Sequence, residues 1–265
     1  MLRPEPGLYE AVFRRVSRRS YLMRPVPVDV LDELDQLVNR IQEAEPEIRL
    51  VIGREGASRI FQGRTGYGMI VGAISFMAFI AKSDHADTLR RIGYYGEWLV
   101  LTAMKLGLST CWVAGTFQRA AAESLLSLQP GEELVCVTPL GEAAPEKTIK
   151  EFAITTLMGS RKRKPLSEIL PEADPESLPK WQKTALECAR MAPSGINLQP
   201  WRFSANGDRM RIRFAEGKSP RGTAMVDCGI AMLHFLVGAR HEGVSGIWTI
   251  APEPYLAEFV PDRLR

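Results

Sequence analysis

Hydrophobic residues recur along this chain at two different spacings. Between Val28 and Ala44 they follow the three-to-four-residue period of a helix with one apolar face. Longer apolar stretches predict helices over Gly93–Leu106 and Gly229–Glu242, and a further helix is predicted over Trp181–Met191. Pro193 should stop that last helix, because proline has no amide hydrogen and clashes with the preceding turn.

Strands are predicted where apolar residues alternate with polar ones or form short runs. From Arg209 to Phe214 apolar side chains alternate with arginines, and the turn sequence Asn206-Gly207-Asp208 comes before them. The other predicted strands cover residues 49–52, 110–114, 133–140, 201–205 and 246–250. Strands interleaved with helices predict an α+β sandwich.

One uninterrupted apolar run, Met69–Ala81, could belong to a strand or a helix. It has 13 residues, whereas a helix needs roughly 17 to 25 to cross a bilayer. A strand that is covered on both faces loses its polar alternation, so a buried strand is the better interpretation. No membrane association is expected from this run.

Composition removes several classes of protein from consideration. The chain has 265 residues, 45% of them hydrophobic, and a net charge of +3, which is too mild for a dedicated nucleic-acid binder. The four cysteines show no metal-ligand spacing, so neither a metal site nor a disulfide framework is expected. Met1–Ser20 has no hydrophobic core of a secretory leader, which predicts a cytoplasmic protein.

The segment Ala192–Trp201 concentrates uncharged hydrogen-bonding side chains. Ser194, Asn197 and Gln199 fall on irregular backbone beside a proline and a tryptophan. Short polar side chains in such a place could hold the edge of a planar polar ligand. They could equally form a simple turn that leads into a strand, and the segment alone favours neither interpretation.

This segment resembles the Pro-Ser-x-x-Asn-x-Gln-Pro-Trp motif of the nitroreductase family, whose members use FMN to pass a hydride from a nicotinamide nucleotide to nitro compounds or quinones. Other stretches are similar to further motifs of the family, and together they cover most of the chain: Ser17–Tyr21, Gly107–Gly115, Pro139–Glu142 and Arg161–Glu168. The arginine that the family often has two places after the serine of its Arg-Arg-Ser motif is Leu22 here, a departure from the pattern.

The resemblance implies FMN as cofactor, NADH or NADPH as co-substrate, and a set of cofactor-binding residues. The set is Arg18, Arg19, Ser20, Cys111, Trp112, Val113, Gly115, Arg161, Arg163, Pro193, Ser194, Asn197 and Gln199. Arg18, Arg161 and Arg163 are expected at the phosphate, and Arg19 near the pyrimidine edge of the ring. Taken alone, the basic cluster Arg161–Lys164 would more often be a solvated charge run or a nucleic-acid patch.

The family motifs occur here in an unusual order, which suggests an internal repeat. Gly93, Gly107 and Trp112 recur 136 positions later, as Gly229, Gly243 and Trp248. We therefore expect two divergent nitroreductase-like copies, residues 1–158 and a truncated 159–265, that form a pseudo-dimer in one chain. The first copy keeps the arginine motif and the second keeps Pro193–Trp201, so one FMN is expected between them. The chain should act as a monomer, and a higher oligomer stays open.

Two functions from different classes are compatible with these features. The first is an FMN-dependent oxidoreductase with a ping-pong reaction, whose partner is a small-molecule electron acceptor such as a nitroaromatic or a quinone. The second is a flavin- or ligand-binding protein without turnover. No catalytic residue is identified, and His234, within an apolar helix, is expected to be a hydrogen-bonded core residue.

Overall fold

The computed structural model describes residues 1–62, 70–82, 86–146, 151–153, 156, 159, 162–215 and 223–262. The helices in this part of the chain are α1 (Tyr9–Arg14), α2 (Val28–Ala44), α3 (Ala57–Ile60), α4 (Ala86–Lys105), α5 (Arg119–Leu126), α6 (Leu166–Ile169), α7 (Lys180–Arg190) and α8 (Thr223–His241). Its strands are β1 (Ile48–Gly53), β2 (Ser75–Ala81), β3 (Ser109–Thr110), β4 (Glu133–Gly141), β5 (Trp201–Asn206), β6 (Arg209–Phe214), β7 (Gly246–Ile250) and β8 (Tyr255–Pro261).

The strands form two four-stranded antiparallel sheets. The first sheet has the order β1-β2-β4-β3 and the second the order β5-β6-β8-β7. The strand order is thus the same in both sheets. In each sheet the two central strands are the second and the fourth of that sheet's own strands in chain order. Each sheet also has a long helix, α4 or α8, between its second and third strands. The α+β prediction is confirmed.

The two long helices pack against each other in the middle of the molecule, and two glycines make their close approach possible. A Cβ atom on Gly93 would lie 2.0 Å from the carbonyl oxygen of Val226, and one on Gly229 would lie 1.9 Å from that of Arg90. The two contacts are reciprocal, since Val226 also lies 136 positions after Arg90. One continuous hydrophobic core joins residues of both sheets, including Leu50, Phe203 and Phe259, around this helix pair.

Helix α8 is apolar on all sides because it is a core helix. Among the described helices, α8 is the one that could cross a membrane by its length and composition. However, 83% of its most apolar stretch is buried inside the protein. Core helices of this kind pass the same test.

Several predicted elements match the structure closely. Helix α2 and strands β6 and β7 have the predicted bounds. The apolar run is a strand only from Ser75 onward, where all seven residues of β2 are buried; its first residue, Met69, lies outside the described part. The strand predicted over residues 110–114 is wrong in extent, because β3 ends at Thr110 and only an isolated bridge between Val113 and Val137 follows.

Candidate functional site

A cavity of about 670 Å³ lies where the two halves of the chain meet. Four parts of the chain provide most of its wall: the segment after α1, the turn after β3, the segment after α7 and the first two turns of α8. The lining residues are Phe13, Arg15, Val16, Ser17, Arg19, Ile70, Cys111, Trp112, Val113, Ala114, Gly115, Thr116, Cys136, Arg163, Met191, Pro193, Ser194, Gly195, Ile196, Asn197, Leu198, Thr223, Val226, Asp227 and Ile230.

Nine of the thirteen predicted site residues line this one cavity, although up to 178 positions separate them in the sequence. They are Arg19, Cys111, Trp112, Val113, Gly115, Arg163, Pro193, Ser194 and Asn197. The structure therefore brings together motif residues from both halves of the chain at a single place.

Three predicted residues are not in the wall. The guanidinium group of Arg18 donates to the Glu151 carboxylate at 3.1 Å and to the Ala144 carbonyl at 2.6 Å. Ser20 is buried and forms an isolated bridge with Val71. The Gln199 side chain accepts a hydrogen bond from the Lys164 amide at 2.9 Å, so it holds two segments of chain together. Arg161 lies outside the described residues.

The turn after β3 is fixed to the first sheet by its own hydrogen bonds. Val113 exchanges two backbone hydrogen bonds with Val137, each 2.9 Å long, and the Cys111 amide donates to the Thr138 hydroxyl at 2.9 Å. The Trp112 ring stacks on Phe79 with 4.5 Å between ring centroids. This part of the cavity wall is a rigid extension of the sheet.

The opposite wall is a loop with a strained backbone. Ile196, Asn197 and Gln199 have φ values of 44°, 57° and 47°, a region that costs a residue other than glycine about 1–3 kcal/mol. Hydrogen bonds hold the loop: the Gln199 amide donates to the Ser194 hydroxyl at 2.9 Å, and the Asn197 side-chain amide donates to the carbonyls of Gly159 and Lys162 at 2.8 and 3.0 Å. Backbone strain of this kind is typical of ligand-binding segments.

Three arginine residues line the cavity and give it a positive charge. Arg15, Arg19 and Arg163 all line it. The Nη1 atom of Arg19 is buried and has no hydrogen-bond partner in the described part of the chain. Burial, together with the nearby Arg15 and Arg190, lowers the pKa of Arg163 to about 10. Unmet donors and mutual repulsion among cations both favour binding of a negatively charged ligand group.

A buried hydrogen-bonded network supports the floor of the cavity. The Glu97 carboxylate accepts from the Trp112 indole at 2.7 Å and lies 2.8 Å from His234 Nε2. His234 Nδ1 lies 3.1 Å from the Cys188 carbonyl oxygen, which can only accept, so Nδ1 carries a hydrogen. Both ring nitrogens have partners, in agreement with the expected core histidine. Arg15, whose Nε lies 3.6 Å from Glu97, was missed; its position four residues before Arg19 is the one sequence signal for it.

Asp227 is the other functional candidate that sequence reasoning missed. Both of its carboxylate oxygens accept from the Gly195 amide, at 3.0 and 3.1 Å. Burial raises the pKa of this carboxyl to about 7, and the Gly195 hydrogen bond opposes the rise. The sequence did carry a signal, because Asp227 is the sole acidic residue between Thr223 and His241 in an otherwise apolar helix.

The Asp227→Asn variant is expected to lose a pH dependence of folding stability. The folded protein keeps the Asp227 proton up to about pH 7, whereas the unfolded chain releases it near pH 4. Since the folded state binds more protons in that window, its stability should fall by up to about 4 kcal/mol as the pH rises from 4 to 8. Urea unfolding of the flavin-free protein at pH 5, 6, 7 and 8 measures this loss.

The exposed Asp208, in the turn between β5 and β6, provides the matched control. Asp208→Asn should follow the wild-type stability curve at every pH, while the stability of Asp227→Asn relative to the wild type should be about 2–3 kcal/mol greater at pH 8 than at pH 5. Parallel curves for the wild type and Asp227→Asn would show that Asp227 is ionised already in the acidic range.

The described residues contain no group of three or more His, Cys, Asp or Glu side chains placed to hold a metal ion. All four cysteines are free and buried.

Two antiparallel sheets around a central helix pair, with one arginine-lined cavity at the junction, define a protein of the nitroreductase-like class. The family model described as "Putative TM nitroreductase" matches residues 7–239, and the chain belongs to this family. At the level of the family, the protein is therefore an oxidoreductase. No curated protein sequence matches the chain.

Three solved structures are similar to this chain, and the first of them shares its fold. A protein from Thermotoga maritima MSB8, described as a putative nitroreductase, is 21% identical with a TM-score of 0.62, and the match covers 98% of this chain and 96% of that one. An FMN-dependent nitroreductase from Clostridium difficile R20291 is 18% identical, with a TM-score of 0.44, over 52% of this chain and 88% of that one. A nitroreductase family protein from Streptococcus pneumoniae TIGR4 is 12% identical, with a TM-score of 0.46, over 63% and 100%.

Proposed function

We propose that this protein is an FMN-dependent oxidoreductase that takes a hydride from NADH or NADPH and passes it to a nitroaromatic, a quinone or a similar conjugated acceptor. One observation supports this proposal most strongly: nine motif residues from both halves of the chain line one cavity. Beside them lies a buried guanidinium nitrogen of Arg19 that has no hydrogen-bond partner in the described chain.

The residues of the cavity suit FMN. Its volume of about 670 Å³ falls in the range of roughly 300–1,000 Å³ that is usual for cofactor and ligand pockets. Arg19 and Arg163 would hold the anionic parts of FMN, and apolar residues such as Val113 and Ile230 would contact its ring system. When bound, FMN supplies the hydride-transfer chemistry, and the protein positions and tunes it.

The protein's own side chains would set the position of the cofactor through rigid contacts. Trp112 is held between Phe79 and the Glu97 carboxylate, so the turn from Cys111 to Gly115 cannot move independently of the first sheet. Both donors of the Asn197 amide already bond to backbone carbonyls, which leaves its Oδ1, 3.4 Å from Arg163 Nη1, as the atom that orients that guanidinium group. We expect Asn197 to act on FMN mainly through Arg163.

We also propose that the chain is a fused pair of nitroreductase-like units, residues 1–158 and 159–265, that binds one FMN and acts as a monomer. The two sheets have the same strand order. The reciprocal approach of Gly93 to Val226 and of Gly229 to Arg90 is the contact pattern of a two-fold interface. At the position on α4 that corresponds to Ile230 on α8, 136 positions earlier, the Tyr94 hydroxyl donates to the Leu2 carbonyl, and the Leu2 amide donates to the neighbouring Tyr95 hydroxyl.

The mouth of the cavity supports an apolar acceptor. Four of its lining residues are large hydrophobic side chains with substantial exposure: Phe13 at 41%, Val16 at 41%, Ile196 at 67% and Leu198 at 45%. Scattered exposed hydrophobic residues are ordinary, whereas a group around one opening marks a binding surface. An uncharged aromatic molecule would cover these side chains and still reach the interior.

An anaerobic titration of the flavin-loaded protein tests the proposed function. NADPH or NADH should bleach the flavin absorbance, and a quinone such as menadione, added afterwards, should restore it. A protein that binds FMN but stays oxidised with both nucleotides would instead be a flavin-binding protein without turnover. A protein that cannot take up FMN would overturn the proposed function and the assignment of the cavity as a flavin site.

A further inference from the structure

We propose that Asp227 is the proton donor of the cavity, and that its carboxyl group gives a proton to an oxygen atom of the electron acceptor while the acceptor takes up a hydride. This inference rests on the proposed oxidoreductase function and goes beyond it, because neither the family resemblance nor the sequence motifs assign a role to this residue.

Asp227 is placed to touch a molecule inside the cavity. It lines the wall together with Thr223, Val226 and Ile230 of the same helix. The helix is held firmly there, because Gly229, two residues further, packs against the backbone of α4. The carboxyl group therefore has a fixed position, as a group that transfers protons requires.

The carboxyl group also has unused hydrogen-bonding capacity. A single donor, the Gly195 amide, is shared between its two oxygens, although a carboxylate can accept about four hydrogen bonds. Among the described residues no lysine, arginine or histidine forms an ion pair with it. A carboxyl group that is buried with one neutral donor and no cation keeps its proton more readily than an exposed one.

The other titratable and charged groups around Asp227 are poor proton donors. The Cys136 thiol faces it from β4 and the Cys228 thiol lies next to it on α8; burial raises the pKa of both thiols. Arg15, Arg19 and Arg163 line the same cavity, where their guanidinium groups can donate hydrogen bonds to a bound molecule. Among the described lining residues Asp227 is the one carboxyl group, and burial raises its pKa to about 7.

The proposed step balances for a quinone. The quinone takes up a hydride, which carries two electrons and comes from the nicotinamide nucleotide by way of the cofactor. It also needs one proton to become a hydroquinone. The O–H bond of the Asp227 carboxyl breaks, a new O–H bond forms on the quinone oxygen, and the resulting carboxylate keeps the Gly195 hydrogen bond. Water that enters the cavity after the product leaves would return the proton.

The test compares the wild type with Asp227→Asn in two separate half-reactions. The flavin is first reduced with dithionite, so the result does not depend on either nucleotide, and is then mixed with menadione or with ferricyanide between pH 5 and 9. Menadione needs a proton and ferricyanide does not. With the wild type, the menadione rate should be constant below about pH 7 and fall about tenfold per pH unit above it.

In Asp227→Asn the menadione rate should be about 100-fold to 1,000-fold lower and independent of pH, with the ferricyanide rate within about threefold of the wild type. Asp227→Glu should recover part of the rate and of the pH profile. An infrared titration of the flavin-free protein gives an independent readout, because the protonated carboxyl band should disappear near pH 7 in the wild type and be missing in Asp227→Asn.

A menadione rate and pH profile that Asp227→Asn leaves unchanged would overturn the proposal, as would an infrared band that is already lost at pH 5. If Asp227→Asn does not fold, the Asp227→Glu profile and the wild-type infrared titration decide the question. Failure of both nucleotides to reduce the flavin would contradict the proposed function but would leave these outcomes readable.

Discussion

The Arg19→Ala variant should bind FMN about 10-fold to 100-fold more weakly than the wild type. The side chain lines the cavity, and its buried Nη1 atom lacks a hydrogen-bond partner in the described chain. Charge-assisted hydrogen bonds to a buried ligand contribute about 1.5–3 kcal/mol each, and every 1.4 kcal/mol is a factor of ten in affinity. Flavin fluorescence quenching during titration of the flavin-free variant measures the change.

Two neighbouring arginines provide controls for this variant. Arg24 is exposed and lies 3.7 Å from Glu142, so Arg24→Ala should bind FMN like the wild type. Arg18 is next to Arg19 in the chain but bonds to the buried Glu151, so Arg18→Ala should lower folding stability more than flavin affinity. If Arg24→Ala and Arg19→Ala weakened FMN binding equally, the effect would come from general charge, and the site assignment of Arg19 would fail.

The Gly229→Ala variant should be destabilised by more than about 4 kcal/mol, enough to leave most of the protein unfolded or insoluble. In an exposed helix this substitution would be stabilising by about 1 kcal/mol, because alanine is the better helix former. Here the new Cβ atom would lie 1.9 Å from the backbone carbonyl oxygen of Arg90. Helices α4 and α8 would have to separate along their central contact.

Gly93→Ala should behave in the same way, since its Cβ atom would lie 2.0 Å from the Val226 carbonyl oxygen. Gly115→Ala is the matched stability control, because no atom lies within 4 Å of the new Cβ position. Urea unfolding, or the soluble yield where the variant does not fold, compares the three. A Gly229→Ala protein as stable as Gly115→Ala would contradict the close helix packing.

Local patterns predict the elements of this fold better than their ends. The hydrophobic stripe of α2 and the alternation of β6 come from burial of one face, and both elements were found with correct bounds. Strand β8 was missed, because Pro252 and Pro254 precede it, Pro261 is its last residue, and proline is unfavourable within a ladder. Its pairing with β6 and β7 depends on tertiary contacts that a single segment does not reveal.

For the candidate site, too, local patterns predict some features better than others. Nine motif residues lie in the wall of one cavity, because a turn and a loop carry their backbone to the same place whatever their side chains do. Side-chain direction was harder to predict. Arg18 turns to Glu151, 133 positions away, and the long-range partner of Asp227 is the Gly195 amide. Contacts of this kind arise from packing between segments that are far apart in the sequence, and no local pattern encodes them.

The number of FMN molecules bound by each chain tests the central claim most directly. Flavin-free protein of known concentration would be titrated with FMN, and the bound and free flavin separated by ultrafiltration and measured by absorbance. We expect saturation at one FMN per chain, as one cavity built from both halves requires. Saturation at two would contradict the single site between the halves, and no binding would contradict the assignment of the cavity.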